Sequence, residues 1–264
     1  MVIAVKRAGA RAHRGRGFSL VELLMVIGVI AVLIGVAVPV ALSVRDGARS
    51  VTCSSNLRQL TFAATQYANT HGAYPIAVRS AMNNGVFEIH NWDWVTRFDG
   101  TVLRSGALYA YADRPDAVFR CPSYAGPPNA KDPATGYNYN TTYIGGEGPV
   151  TIPGWTYVRD SARPSQCRRT AMCAIFGCAG RRDGTNKFMR APENSVEGNL
   201  AEVYSGAQAF RHHGATMVSV LDGSVNRIAD PCAGVHATDD LKTMVLDYPH
   251  NGFLSDDDSA YRPW

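Results

Sequence analysis

The chain has 264 residues with 26 Lys and Arg against 22 Asp and Glu, a formal charge of +4, and is long enough for one membrane helix and one sizeable core. Five of the cations (Lys6, Arg7, Arg11, Arg14 and Arg16) precede residue 17. Without them the rest of the chain carries about −1, so the basic balance gives no case for a nucleic-acid-binding surface.

Behind this basic stretch come Gly17-Phe18-Ser19-Leu20-Val21-Glu22 and then Leu23 to Val44, which holds no charged side chain. At ~1.5 Å per residue that run spans ~30 Å, the thickness of a bilayer's hydrocarbon core. The positive leader predicts a cytoplasmic N-terminus with the remainder facing outward. Glu22 at the edge of the apolar run costs roughly 2–3 kcal/mol or more if unpaired, so it calls for a cationic partner. An ordinary secretory signal has a shorter apolar core, with its cleavage site at the far end. A plain signal anchor explains the orientation but leaves Gly17, Phe18 and Glu22 without a role. Pro39 predicts a kink or local melting. Gly28 and Gly35 offer small surfaces for close helix approach, though glycine is common in membrane helices.

GFSLVELLMVIGVIAVLIGVAVP, residues 17–39, resembles the N-terminus of type IV pilins and pseudopilins. The resemblance implies cleavage between Gly17 and Phe18 by a prepilin peptidase, N-methylation of Phe18, and pairing of Glu22 with the Phe18 amine of a neighbouring subunit. Methylation keeps the amine's charge. An ammonium–carboxylate pair in lipid offsets the burial cost of both ions and sets the register between helices.

Beyond Arg45 and Arg49 the pattern becomes amphipathic. Leu57, Leu60, Ala64, Tyr67 and Ala68 recur at helical spacing and are read as core, with Asn56, Arg58, Gln59 and Gln66 on other faces. Gly72 and Pro75 stop the helix. One helix from about Phe18 to His71 is therefore expected, with residues 18–44 in lipid and residues 45–72 packed on the soluble part.

Residues 73–264 read as a loop-rich α+β domain with an antiparallel sheet. The turn pairs include Asn83-Asn84-Gly85 and Asp99-Gly100. Gly106 to Tyr111 reads as a short helix and Thr170 to Phe176 as a buried strand. Thr216 to Leu221 and Ser224 to Ile228 form a predicted hairpin around Asp222-Gly223, which suits a type I′ turn. Asp256 to Trp264 reads as polar and peripheral. Trp92, Asp93 and Trp94 read as core before binding surface.

Six cysteines remain after cleavage: Cys53, Cys121, Cys167, Cys173, Cys178 and Cys232. An oxidising periplasm permits disulfides, but six cysteines allow 15 full pairings and the sequence does not choose. Cys173 with Cys178 is a local possibility, and Cys53 with Cys121 would staple the helix to the domain. The absence of CxxC weakens a zinc or thioredoxin-like reading, and no metal or other cofactor is expected.

Arg211-His212-His213-Gly214-Ala215 followed by Asp222-Gly223 places nine residues between a histidine and Asp-Gly. Together with Cys53-Ser54-Ser55-Asn56-Leu57-Arg58-Gln59-Leu60, Tyr74-Pro75 and Phe119-Arg120-Cys121-Pro122, this resembles a bacterial subgroup of prepilin-like proteins with a C-terminal H-X9-DG signature: His212, Asp222 and Gly223. In that subgroup position 213 is often small or polar. The structural reading has Asp222 supporting its turn and His212 bonding the neighbouring strand. A calcium loop built on Asp222 with Asp239 or Asp240 lacks a recognised spacing, and no motif positions a catalytic serine.

The combined expectation is a structural subunit without enzymatic activity, joining a type IV pilus or a type II secretion pseudopilus. Its expected partners are a prepilin peptidase and methyltransferase, similar subunits and membrane lipid, with no nucleic acid. It is expected at the inner membrane in a single pass, its C-terminal domain periplasmic or on an extracellular fibre. The alternative is a membrane-anchored periplasmic module that binds polysaccharide or another envelope component and never polymerises.

Overall fold

A computed structural model describes residues 18–113, 115–126, 136–148, 159–182, 184–193, 205–246 and 248–264. The basic leader, Gly17 included, lies outside the described residues. The chain forms two units, one ending at Arg45 and the other running Asp46–Trp264.

Helix α1 (Leu20–His71) belongs to both units. At its start the Glu22 carboxylate accepts the Ser19 N–H at 2.9 Å, and Leu23 N–H donates to the Ser19 carbonyl. Ser-x-x-Glu is a capping-box pattern, and Glu22 thereby satisfies a donor left free by the first turn. Pro39 does not interrupt the helix, contrary to the melting expected there. A proline forfeits one backbone bond and the turns on either side keep theirs. Gly72, at φ +78°, ends the helix by donating to Ala68.

In the first unit every residue from Phe18 to Val44 is exposed. This part of α1 is long and apolar enough to cross a membrane, as only one helix is among the described residues.

The second unit is α+β, with a mostly antiparallel sheet system. Strands β1 (Val78–Asn83), β2 (Val86–Asn91), β3 (Trp94–Thr96) and β4 (Val102–Ser105) form a four-stranded meander. A 3₁₀ turn (Tyr109–Tyr111) occupies the end of the short helix expected over 106–111, and α2 (Pro115–Val118) follows. The larger sheet contains β5 (Tyr137–Asn140), β6 (Ala174–Gly180), β7 (Phe188–Met189), β8 (Ala207–Ala209), β9 (Thr216–Val220), β10 (Val225–Ile228) and β11 (Asn251–Gly252). Its main order is β10-β9-β6-β5-β7, and β8 joins β6 to β11. Only the β5–β7 pairing is parallel among these. Helix α3 (Asp239–Leu246) lies between β10 and β11 in the chain.

Period-2 alternation explains how the helix meets this sheet. Tyr137 and Tyr139 of β5, Phe176 and Cys178 of β6 and Met217 of β9 share one buried cluster with Cys53, Leu57, Leu60, Ala64 and Ala68 of α1. Asn138 and Asn140 alternate with the tyrosines and donate to the carbonyls of Ala207, Ala174 and Tyr261. Both sheet faces are thus covered, and the buried amides are bonded.

Several expectations shift. The strand expected over 170–176 runs 174–180, because Met172 and Cys173 both donate to Arg169 and close a turn first. Gly177 lies within it, where the Gln208 side chain occupies the space a Cβ would need. The 216–228 hairpin forms, but its Asp-Gly is not a type I′ turn. Gly223 alone adopts positive φ (+89°), closing a bond to Val220, while Asp222 Oδ1 accepts the Ser224 N–H at 2.8 Å. That is a three-residue loop with a glycine bulge. The type I′ form belongs instead to Asn84-Gly85, between β1 and β2. Asn56 is buried, donating to Ala117, Arg120 and Tyr137. The C-terminal stretch is not peripheral. Asp258 and Tyr261 are fully buried, Ala174 donates to the Ala260 carbonyl, and Arg168 and Arg169 donate to Pro263. Trp92 and Asp93 are core: Trp92 donates to the Lys187 carbonyl, and Lys187 Nζ grips both Asp93 oxygens at 2.8 Å with both side chains out of solvent.

Candidate functional site

Two places carry chemistry. The first is the start of α1. Phe18 is 81% exposed, Glu22 lies one turn on, and the apolar helix surface that follows is open along its length. The Glu22–Ser19 contact gives the carboxylate a partner within its own chain. The pattern Ser19-Leu20-Val21-Glu22 was readable as a capping box, and the sequence reading passed over it.

The second is a cluster in the Asp46–Trp264 unit. Cys53 of α1, Cys121 beyond α2, Cys178 of β6 and His212 between β8 and β9 converge, all buried, with their ligand atoms within 4.8 Å of one another. Cys53 Sγ lies 3.4 Å from Cys178 Sγ. His212 Nε2 lies 3.2 Å from Cys178 Sγ and 4.0 Å from Cys121 Sγ.

Local structure sets each side chain. Cys53 continues the buried stripe of α1. Cys178 shares the helix-facing side of β6 with Phe176. His212 is held by a two-residue turn: it exchanges both backbone bonds with Ala215, while His213 (φ +49°) and Gly214 (φ +72°) occupy the left-handed region. Histidine is among the residues that tolerate that region, which accounts for His213 at a position often small or polar.

The ring of His212 is oriented from behind. Ser50 Oγ lies 3.1 Å and Ser123 Oγ 3.3 Å from its Nδ1. Ser50 directs its one hydroxyl hydrogen to the Asp46 carbonyl at 3.0 Å. Toward the imidazole it is therefore an acceptor, which puts the proton on Nδ1 and leaves the Nε2 lone pair facing the sulfurs. Hydrogen bonds from Cys178 and Cys53 hold the Cys121 thiol well below the ordinary cysteine value, against its burial. Bonding to Cys121 and Cys178, together with burial, pushes Cys53 up. Burial, then the bond to Cys121, pushes Cys178 up to about 12. Arg211 is nearby, its guanidinium 4.9 Å above the Tyr124 ring.

Neither of the two possible pairings named from the sequence is formed: all six cysteines are free. Cys53 and Cys121 do meet, but in company with Cys178 and His212. Cys173 turns elsewhere, to the Tyr261 carbonyl at 3.0 Å, because it precedes β6 while Cys178 sits within it. Asp222 serves its turn. Among the described residues the Cys–His cluster is the one convergent set of such groups, and it includes none of Asp222, Asp239 and Asp240. The sequence reading missed the convergence because Cys53 and Cys178 are 125 residues apart, and Cys178 and His212 34. The available signal was that Cys53, Cys121 and His212 each stood in a separate island of the resemblance.

The family model described as the prokaryotic N-terminal methylation motif matches residues 13–38. The model described as a protein of unknown function (DUF1559) matches residues 42–99. His212 and Asp222-Gly223 lie outside both segments. No curated protein and no solved structure matches the chain. Through residues 13–38 and 42–99, then, the chain is similar to these two families, consistent with a type IV pilin-like protein, and the apolar helix α1 fits membrane anchoring.

Proposed function

We propose that the chain is a structural subunit of a type IV pilus or a type II secretion pseudopilus. Its precursor sits in the inner membrane with the basic leader in the cytoplasm. A prepilin peptidase cuts between Gly17 and Phe18, and Phe18 is N-methylated. The observation that carries this reading is the methylation motif running directly into a helix that is uncharged and exposed from Leu23 to Val44. Cleavage removes five cations and creates an ammonium. On assembly that ammonium pairs with Glu22 of a neighbouring copy, and the exposed helix surfaces pack together in lipid. The C-terminal domain lies in the periplasm or on the fibre. The protein works by association with other subunits and does not turn over a substrate.

Mass spectrometry of the cell-made chain tests the processing step: the mature protein should begin at methylated Phe18. A working form that starts upstream of residue 18 overturns the proposal. Glu22→Ala should abolish subunit cross-linking while leaving membrane insertion intact.

A second reading, the anchored module that stays monomeric, is favoured by the Glu22–Ser19 bond, which satisfies the carboxylate without a neighbour. It expects cross-linking yields to be the same with and without Glu22.

A further inference from the structure

We propose that Cys53, Cys121, Cys178 and His212 form a structural zinc site that locks helix α1 to the sheet. Four zinc-type ligand atoms from four separate segments meet in one buried place. Zinc takes such a set tetrahedrally, with Zn–S near ~2.3 Å and Zn–N near ~2.0 Å. Ligand atoms around one such ion are therefore separated by roughly 3.5–3.8 Å. The observed separations of 3.4, 3.2 and 4.0 Å bracket that range. All six separations lie within 4.8 Å, so one small ion at the centre meets the four atoms if the widest pairs close by up to about 1 Å.

Ligand chemistry selects the metal. Three sulfurs and an imidazole are soft to borderline donors, which disfavours calcium and magnesium. Four protein ligands close the coordination sphere, as in structural rather than catalytic zinc sites. Iron–sulfur clusters hold their cysteines farther apart than atoms gathered around one ion. The outer contacts also fit. Ser50 and Ser123 bond the far nitrogen of His212, the arrangement that orients a metal-bound imidazole. Three thiolates and one Zn²⁺ leave a net charge of −1, and Arg211 supplies a compensating cation beside the cluster.

A disulfide is the competing use of these sulfurs. Cys53 and Cys178 are placed to form one, but 3.4 Å is a non-bonded separation against about 2.05 Å for a bond. A disulfide would also leave Cys121 and the aimed His212 nitrogen unexplained. Zinc uses all four groups.

The full-length chain, extracted from membranes in detergent, should contain one zinc per polypeptide by elemental analysis. Cobalt added to the reduced, metal-stripped chain should give a thiolate-to-metal charge-transfer band and the visible absorption of a tetrahedral ion. Cys121→Ser and His212→Ala should each lower retained zinc at least tenfold. Cys173→Ser and Cys232→Ser should keep it. The cobalt spectrum needs no variant, so it decides the matter even if the ligand variants fold poorly. A cell-made chain without zinc and with Cys53 disulfide-bonded to Cys178 overturns the proposal. So does a missing cobalt–thiolate band, or equal zinc loss in the Cys173 and Cys232 variants.

Discussion

Helix α1 passes through two environments, and the contrast shows what each half requires. From Leu23 to Val44 its side chains are uncharged and exposed. From Cys53 to Ala68 the apolar side chains are buried against the protein's own sheet. The first half has apolar surface with nothing among the described residues to cover it, which suits lipid and neighbouring helices. The second half has an amphipathic stripe matched to tyrosines and phenylalanines of β5 and β6. A single element thus fits an anchor at one end and forms core at the other.

The comparison breaks most visibly inside the second unit. Lys187→Ala strands the Asp93 carboxylate where both partners are fully buried. The expected loss is about 3–5 kcal/mol of unfolding free energy, by denaturant titration in detergent. Leu57→Ala or Leu60→Ala should cost about 2–5 kcal/mol by leaving a cavity at the helix–sheet contact. Leu24→Ala, on the exposed half of the same helix, should change that unfolding by under about 0.5 kcal/mol. Equal effects from Leu24 and Leu60 would erase the distinction between the halves. Asn56→Ala should cost about 1–3 kcal/mol, since the Ala117 and Arg120 carbonyls and the buried Tyr137 hydroxyl lose their donor.

The smallest expected effect depends on pH. Arg104 bonds both Glu88 oxygens, at 2.8 and 2.6 Å, and holds that carboxyl at about 2 against an ordinary 4.5. A depressed folded-state value means the pair's contribution is fully present above 4.5 and is lost as pH falls toward about 2. The stability gap between wild type and Arg104→Ala should therefore close across that window. A gap constant from neutral pH down to about 2 would remove Glu88 from the account.

Local order made much of this fold readable. The apolar run, the Gly72 stop and the 216–228 hairpin each depend on residues adjacent in the chain. Errors arose where a distant segment overrode the local signal. Asn56 looked solvent-facing until three partners from residues 117, 120 and 137 surrounded it. Asp256 to Trp264 looked like a polar tail, yet Tyr261 and Asp258 fill space beside β5 and β6. Asp222-Gly223 was rightly read as a turn but given the wrong form, because only the glycine takes up positive φ.

By itself the sequence determined the prepilin-type N-terminus, the membrane-length helix and the point where that helix stops. The first rests on the resemblance of residues 17–39, the second on hydropathy and the third on Gly72 and Pro75, all signals carried by consecutive residues. Tertiary structure alone decided that Cys53, Cys121, Cys178 and His212 share one buried place, and that Asp93 meets Lys187. Such meetings depend on strand order and on which face each residue presents, and no local spacing encodes either.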